Sequence, residues 1–305
     1  MNTKKVLFII SAGHSGSSLL SVILGSHPQC FSAGEFGNLP NRYRNGAFLD
    51  CINRNSDFWE ETFGKEGIKQ LSIGLGDTRA TPYIPLKIEK RVREFLGNDQ
   101  VFNPYSLMFS KLNEEVIIDA TKFYPFVEKK LKAREFRSGE VEAYLLHLVR
   151  DGRAVLNSFL RRFQDMDVVD FTEGWVQKTK GRQAYFHSFK EDKKIEIAYE
   201  DLASQPHQTI QTICQWIGIE FIEDMLEYWK YDHHDISGND GTYSLIRRYQ
   251  GKEILDKVRE VHGEYYEKRD LSIKLDLRWK KELSPENLEI FNRIAGAVNQ
   301  PYEYN

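Results

Sequence analysis

Apolar residues along this chain gather in short runs that end in polar, glycine-bearing turns, and stretches of helical spacing lie between the runs. Val6-Leu-Phe-Ile-Ile10 is an unbroken apolar run of the length of a strand buried on both faces. Residues 11–17 then turn small and polar, with Gly13 and Gly16, and residues 18–24 carry apolar side chains at helix-compatible spacing, closed by Gly25 and Pro28. Further strands are predicted at Glu115-Val-Ile-Ile-Asp-Ala-Thr-Lys122, at Val141-Glu-Ala-Tyr-Leu-Leu-His-Leu-Val149 and at Lys194-Ile-Glu-Ile-Ala-Tyr199. Helices are predicted at 154–163 and 171–189, and the last third reads as mostly helical, at 207–216, 220–229, 250–266 and 285–298. Strands alternating with helices predict an α/β fold, a central parallel sheet flanked by helices. Ligands of such sheets bind beyond the carboxyl ends of the strands.

Residues 31–40 read as a loop, and 41–110 as helical excursions and loops, with a basic amphipathic helix at 88–95 expected to present a solvated face. No repeat, low-complexity tract or linker interrupts the pattern. A single domain over 1–305 is therefore expected, with an insertion at about 36–114 of the kind that builds ligand pockets.

The chemistry begins at the first turn. A strand, a small-residue loop and a helix N-terminus direct backbone amides and the helix dipole at one spot, which makes a cradle for an anion. A nucleoside-triphosphate loop would end in Gly-Lys-Ser/Thr, but here Ser17 follows Gly16 and the lysine is missing. A second anion-binding candidate follows the third predicted strand, in Leu148-Val-Arg-Asp-Gly-Arg-Ala-Val-Leu-Asn-Ser158. Arg150 leaves the strand end, Asp151-Gly152 turns the chain, and Ser158 lies on the next helix. A guanidinium fork and a hydroxyl then suit a single phosphate.

Gly13-His-Ser-Gly-Ser-Ser-Leu-Leu20 resembles the 5′-phosphosulfate loop of sulfotransferases that use 3′-phosphoadenosine 5′-phosphosulfate (PAPS). Arg150 with Ser158, eight positions on, resembles their 3′-phosphate motif. Tyr199-Glu-Asp-Leu202 with Pro206 and Trp216-Ile-Gly218 is similar to a structural segment of that family, and His234, Ser237-Gly238-Asn239 and Leu277-Arg-Trp-Lys280 are similar to the C-terminal region of its bacterial members. The resemblance implies a P-loop-like sulfotransferase fold, PAPS as donor with 3′,5′-adenosine bisphosphate (PAP) as product, and no metal requirement. It assigns nucleotide binding to Gly13, His14, Ser15, Gly16, Ser17, Ser18, Arg150 and Ser158. A closing loop would add Gly238, Asn239 and Gly241.

For catalysis the resemblance points to Glu35, in Gly34-Glu35-Phe36, as the base that takes the acceptor proton. Burial beside Phe31 and Phe36 would strengthen it in that role. Cytosolic relatives use a histidine at the position held here by Tyr124, a residue type that is a poor base at neutral pH. Lys122 would stabilise the transferring group. His14 stands where relatives carry arginine or lysine, and is expected to donate to the 5′-phosphate or the bridging oxygen.

Composition narrows the partners. The chain has 305 residues, 41% hydrophobic and 29% charged, with a net charge of −3. That balance suits a soluble globular protein and lends nothing to a nucleic-acid partner. Cys30, Cys51 and Cys214 show neither disulfide nor metal-ligand spacing, which suggests a reducing compartment. Lys4-Lys5 before an apolar run imitates a secretory signal, but the run falls short of the ~7–15 residues of a signal core, and no stretch reaches the ~18 of a membrane span. A cytoplasmic location is expected. The expected acceptor is a small-molecule hydroxyl or nitrogen, as in natural-product tailoring. Asp50, Asp57, Glu60 and Glu61 would suit a cationic acceptor, or would form solvated surface. A homo-oligomer is compatible with the sequence, which carries no signature of a particular oligomeric state.

Two other readings stay open. Val116-Ile-Ile-Asp119 looks like a strand whose aspartate helps hold magnesium, which fits a divergent P-loop kinase using Mg-ATP. A non-catalytic nucleotide-binding protein would keep the cradle and lack a competent base.

Overall fold

The computed structural model describes residues 3–46 and 56–304. Asp50 and Cys51 lie outside the described residues, as does the side chain of Asp57.

Among these residues, β1 (Lys4–Ser11), β2 (Cys30–Gly34), β3 (Val116–Lys122), β4 (Val141–Val149) and β5 (Lys194–Ala198) form one sheet in the order β2-β3-β1-β4-β5. β2 pairs with β3 in parallel, and β4 with β5 in parallel. Val6 to Ile10 are all essentially inaccessible, as an apolar strand covered on both faces must be. The order places the first strand between the third and fourth, so the chain reverses direction across the sheet at the carboxyl end of β1.

The α/β expectation holds, and the predicted strands agree within a residue or two. β2 differs. It occupies part of the stretch read as a loop, because Cys-Phe-Ser-Ala-Gly lacks both β-branched residues and alternation. All five of its residues are buried, and its strand character comes from pairing with β3. The helix expected at 250–266 is also absent as one element. Gly251 and Gly263 take positive φ, 70° and 54°, and divide the region. A helix instead covers Asp240–Tyr249, starting inside the turn-rich loop, with Asn239 as its N-cap accepting from Thr242 N at 3.1 Å. The stretch expected as helix at 220–229 is a 3₁₀ segment, Glu223–Lys230, interrupted at Glu227.

Residue contacts divide the chain into two compact units, each built from three segments. The first takes Met1–Phe8, Leu24–Tyr144 and Asp232–Gly238; the second takes Ile9–Ile23, Leu145–Tyr231 and Asn239–Asn305. In the first, Phe8, Phe36 and Phe136 pack around the fully buried Tyr105. In the second, Val155, Leu156, Trp175, Phe291 and Ala295 form a core cluster. It joins α2 (Gly152–Arg162), α3 (Val168–Ser188) and α5 (Pro285–Asn299). Between these in sequence, Asp240–Tyr249 is α4, and the helix that follows β1 is α1 (Ser17–Gly25).

Candidate active site

The second unit carries the cradle. β1 ends at Ser11 and α1 begins at Ser17, so the intervening residues turn the chain in a few steps. Two of them lie in the left-handed region, Gly16 at φ 88° and His14 at φ 62°. At Gly16 the requirement is double, because a Cβ would also fall 2.6 Å from the Tyr199 ring. His14 has no such exemption, and a non-glycine residue held there marks local strain. No acidic residue occupies the first turn of α1, which leaves its positive end uncompensated. Ser15, Ser17 and Ser18 are buried. Ser18 Oγ accepts from the backbone N of Asn239 at 2.8 Å.

Arg150 is brought to the same loop. It leaves the end of β4 and donates Nη1 to the carbonyl of His14 at 2.7 Å and Nη2 to the carbonyl of Asp276 at 3.1 Å. Its guanidinium lies over the Tyr199 ring, 4.1 Å from the centroid. Ser158 also reaches the loop: its Oγ is 3.0 Å from His14 Nδ1, and the ring of Phe159 packs edge-on against the His14 imidazole. Five predicted nucleotide contacts, Gly13 to Ser15, Arg150 and Ser158, therefore form one connected cluster. Within it the side chain of Ser158 engages His14.

Two polar atoms in this cluster are buried without a partner among the described residues, Ser15 Oγ and Arg150 Nε. A buried hydroxyl or guanidinium nitrogen left unpaired is costly. Ligand oxygens accepting from Arg150 Nε and pairing with Ser15 Oγ would remove the cost. Both atoms suit an anionic ligand.

The turn that presents Arg150 is itself held on several sides. Asp151 caps α2 by accepting from Arg153 N at 2.9 Å, and its own N donates to Glu200 at 3.1 Å. Gly152 N donates to Asn299 Oδ1 at 2.7 Å, and Tyr304 N to Asp151 at 3.1 Å. Burial pushes the Glu200 carboxyl up. Beyond Arg150, Asp276 receives two side-chain hydrogen bonds from Arg278, at 2.8 and 2.7 Å, and one from its backbone N at 3.2 Å, with Arg161 3.8 Å away. Burial acts to raise the Asp276 carboxyl, but Arg278 and Arg150 outweigh it and hold the group well below the carboxylate range. Burial, with Arg278 and Arg161 nearby, pushes His262 down to about 4.

Two of the remaining loop candidates, Asn239 and Gly241, also have structural contacts. Asn239 spends its side chain capping α4 and its backbone N on Ser18. At Gly241 a Cβ would lie 2.3 Å from Tyr266, so that glycine is required by packing. Gly238 ends the last segment of the first unit.

The first unit carries Glu35 and Lys122, expected as the base and as the stabiliser of the transferring group. Gly34 ends β2 at φ 63°, where a Cβ would meet the Ser237 carbonyl at 2.5 Å. Glu35 follows, and its N donates to that same carbonyl at 3.2 Å. Glu35 Oε1 accepts from Lys122 Nζ, and Oε2 from Asn38 Nδ2 at 2.8 Å. Lys122 reaches it from the end of β3 with its backbone at φ 70°. Asp119 sets that strand end. It accepts from Tyr105 Oη at 2.6 Å and Thr121 N at 2.9 Å, and also from Thr121 Oγ1. Thr121 Oγ1 in turn accepts from Gly37 N at 2.9 Å, two residues after Glu35. Burial pushes Asp119 up to about 6. Its oxygens are committed to this network. Glu60 and Glu61 are exposed on the helix Ser56–Gly76, as a solvated surface would have them.

Several residues that complete the site were not singled out from sequence. Asp276 is one, and the role of Tyr199 as the surface under both Gly16 and Arg150 is another. Tyr-Glu-Asp-Leu was the available signal, since Tyr199 meets Arg150 and Glu200 holds Asp151.

A family model described as the sulfotransferase family matches residues 142–224, which take in β4 from its second residue, Arg150 and β5. A protein of Caenorhabditis briggsae named a putative protein-tyrosine sulfotransferase is 21% identical over 253 residues, 80% of this chain and 76% of that protein. Among solved structures, the sulfotransferase domain of the curacin biosynthetic pathway superposes with a TM-score of 0.56 at 16% identity over the full length of both chains. The sulfotransferase domain of the Synechococcus PCC 7002 olefin synthase gives 0.52 at 18% identity, over 96% of this chain and 95% of that one. At these identities the two structures speak to the fold.

Proposed function

We propose that this chain, which has the fold of sulfotransferases, is one of them, moving a sulfuryl group from PAPS to a hydroxyl or nitrogen of a small-molecule acceptor and releasing PAP. One observation carries the donor assignment: Arg150 grips the carbonyl of His14 in the cradle loop while Arg150 Nε and Ser15 Oγ stay buried and unpaired. A nucleotide phosphorylated at both 5′ and 3′ positions uses a cradle and an arginine site together.

The chain's residues divide the work. Amides from Ser15 to Ser18 and the dipole of α1 bind and orient the 5′-phosphosulfate and stabilise charge as the bridging oxygen departs. Arg150 and Ser158 hold the 3′-phosphate, and Tyr199 keeps the Arg150 guanidinium flat. His14, held by Ser158 on Nδ1, stands in the cradle as a donor to the 5′ side. PAPS supplies the sulfuryl group, whose bond to the 5′-phosphate breaks as the bond to the acceptor forms. Glu35 takes the acceptor proton, and Lys122 balances negative charge beside it.

A second acceptor class, a protein tyrosine, is favoured by the name of the Caenorhabditis relative. The two readings share every donor-side residue.

The first test is a thermal-shift titration of wild type and Arg150→Ala with PAP, with and without magnesium, with ATP as comparator. A bound ligand stabilises by about 2.7 kcal/mol at a hundred times its Kd. A magnesium-independent shift with PAP, absent in the variant and weak with ATP, is expected; stabilisation by Mg-ATP alone would sink the assignment. Radiolabelled PAPS offered with small phenols and amines, or with a tyrosine peptide, then separates the acceptor classes.

A further inference from the structure

The helix at Leu86–Phe95 is built inside out. Its inward residue is Glu89, which is 3% exposed and accepts from Arg93 Nε at 3.0 Å and from Ala80 N at 3.1 Å. Arg93 also donates to Thr81 at 3.1 Å, and Lys90 to Asp77 at 2.5 Å. The polar face is thus anchored to its own unit. The outward face is apolar. Ile88, Val92 and Phe95 repeat at helical spacing and are 54%, 50% and 89% exposed. Leu96, Ile84 and Tyr83, just outside the helix, are exposed as well, and Tyr83 is 96% exposed on a backbone held at φ 67°. Scattered exposed apolar residues are normal on a soluble protein, whereas a contiguous ridge of this kind marks an interaction surface.

The rim of the ridge says what it meets. Lys87 and Arg91 flank one side, are exposed, and form no ion pair among the described residues. The neighbouring acid, Glu94, is neutralised by Arg137 at 2.7 Å. Lys90 and Arg93 are spent on Asp77 and Glu89. An apolar helix face bordered on one side by cations that have no ion pair among the described residues, with the exposed Phe95 at its end, has the chemistry of a helix that lies in a membrane interface. An antiparallel two-fold pairing of copies would instead set the Lys87 and Arg91 rim against itself.

We propose that the Leu86–Phe95 helix docks this protein on anionic lipid surfaces, with Ile88, Val92, Phe95 and Leu96 entering the headgroup boundary and Lys87 and Arg91 meeting the lipid phosphates and carboxylates. The inference does not depend on the sulfuryl-transfer reading. A single short helix gives weak, reversible and salt-sensitive attachment.

Flotation of the full chain with phosphatidylserine-rich vesicles, and with phosphatidylcholine alone, tests it. Wild type is expected to float with the anionic vesicles at low salt and to stay behind with the neutral ones. Val92→Glu with Phe95→Glu abolishes flotation. Lys87→Gln with Arg91→Gln lowers the partition coefficient about fivefold for each charge removed. The replaced side chains are solvent-facing, so circular dichroism of both variants should match wild type, and the charge variant stands as the test if the apolar one fails to fold. Absence of wild-type flotation overturns the proposal, as does flotation unchanged by either pair of substitutions. A wild-type dimer in lipid-free buffer that Phe95→Glu converts to monomer would assign the face to a second copy instead.

Discussion

Lys122 combines a left-handed backbone with a side chain committed to Glu35. Strain at a strand end, beside a carboxylate with two side-chain donors, supports the catalytic role proposed for the pair. Glu35→Gln is expected to lower kcat by about 10²–10⁴-fold while leaving the PAP-induced thermal shift intact, measured by steady-state turnover and thermal shift on one preparation. Equal loss of PAP stabilisation would show that the change acts on folding. Glu135 supports a separate expectation. Burial pushes its carboxyl from 4.5 to about 7. The folded state therefore binds more protons than the unfolded state in that window, and stability falls as pH rises through it. Urea midpoints of wild type and Glu135→Gln at pH 5 and pH 8 should show the variant gaining on wild type with rising pH, by on the order of 3 kcal/mol at most. A difference that stays constant with pH would remove Glu135 from the account.

At the scale of elements, two glycines matter through what lies above them. Gly16→Ala places a Cβ against the Tyr199 ring in a backbone region that alanine resists, so it should destabilise the loop and abolish PAP binding together. Gly241→Ala meets Tyr266 inside α4 and should lower thermal stability by several degrees while leaving PAP affinity within about threefold. PAP titrations of the two variants distinguish a ligand glycine from a packing glycine. The strand–turn–helix around Gly16 was legible in the sequence, because an apolar run, small polar residues and helical spacing follow one another there. Arg150 was legible for the same reason, through its place at the end of an apolar run. Tyr199, Asp276 and the β2 strand were not. Tyr199 and Asp276 act through partners far along the chain, and β2 is a strand by virtue of its neighbour. The 250–266 helix failed because apolar spacing continued across Gly251 and Gly263, whose backbone angles no helix accepts.

At the scale of the molecule, the second unit ties residues 299–304 to the turn that presents Arg150. Asn299 is fully buried, accepts from Gly152 N and donates to Asp151 at 3.2 Å, and Tyr304 N adds a further bond. Asn299→Ala leaves the Gly152 amide unpaired. It should cost about 1–3 kcal/mol in urea denaturation and weaken PAP binding by loosening the turn that presents Arg150. A stability loss with unchanged PAP affinity would separate the tie from the site. The overall α/β class and strand positions were readable because buried strands need apolar runs, whatever packs on them. The division into units was not readable, since it depends on which distant segments meet.

That division bears on synthesis. Ser32, on the edge strand of the first unit, bonds Asp235, and Ile236 N donates to Ala33. The ribosome must therefore add some two hundred residues after β2 before that strand receives these partners. Until then a nascent chain exposes Phe31, Trp59 and their aromatic neighbours, since Trp59 Nε1 also waits for the carbonyl of His234. Chaperone dependence during translation, and poor recovery of fragments ending before residue 238, follow from where the chain stores seven residues of its first unit.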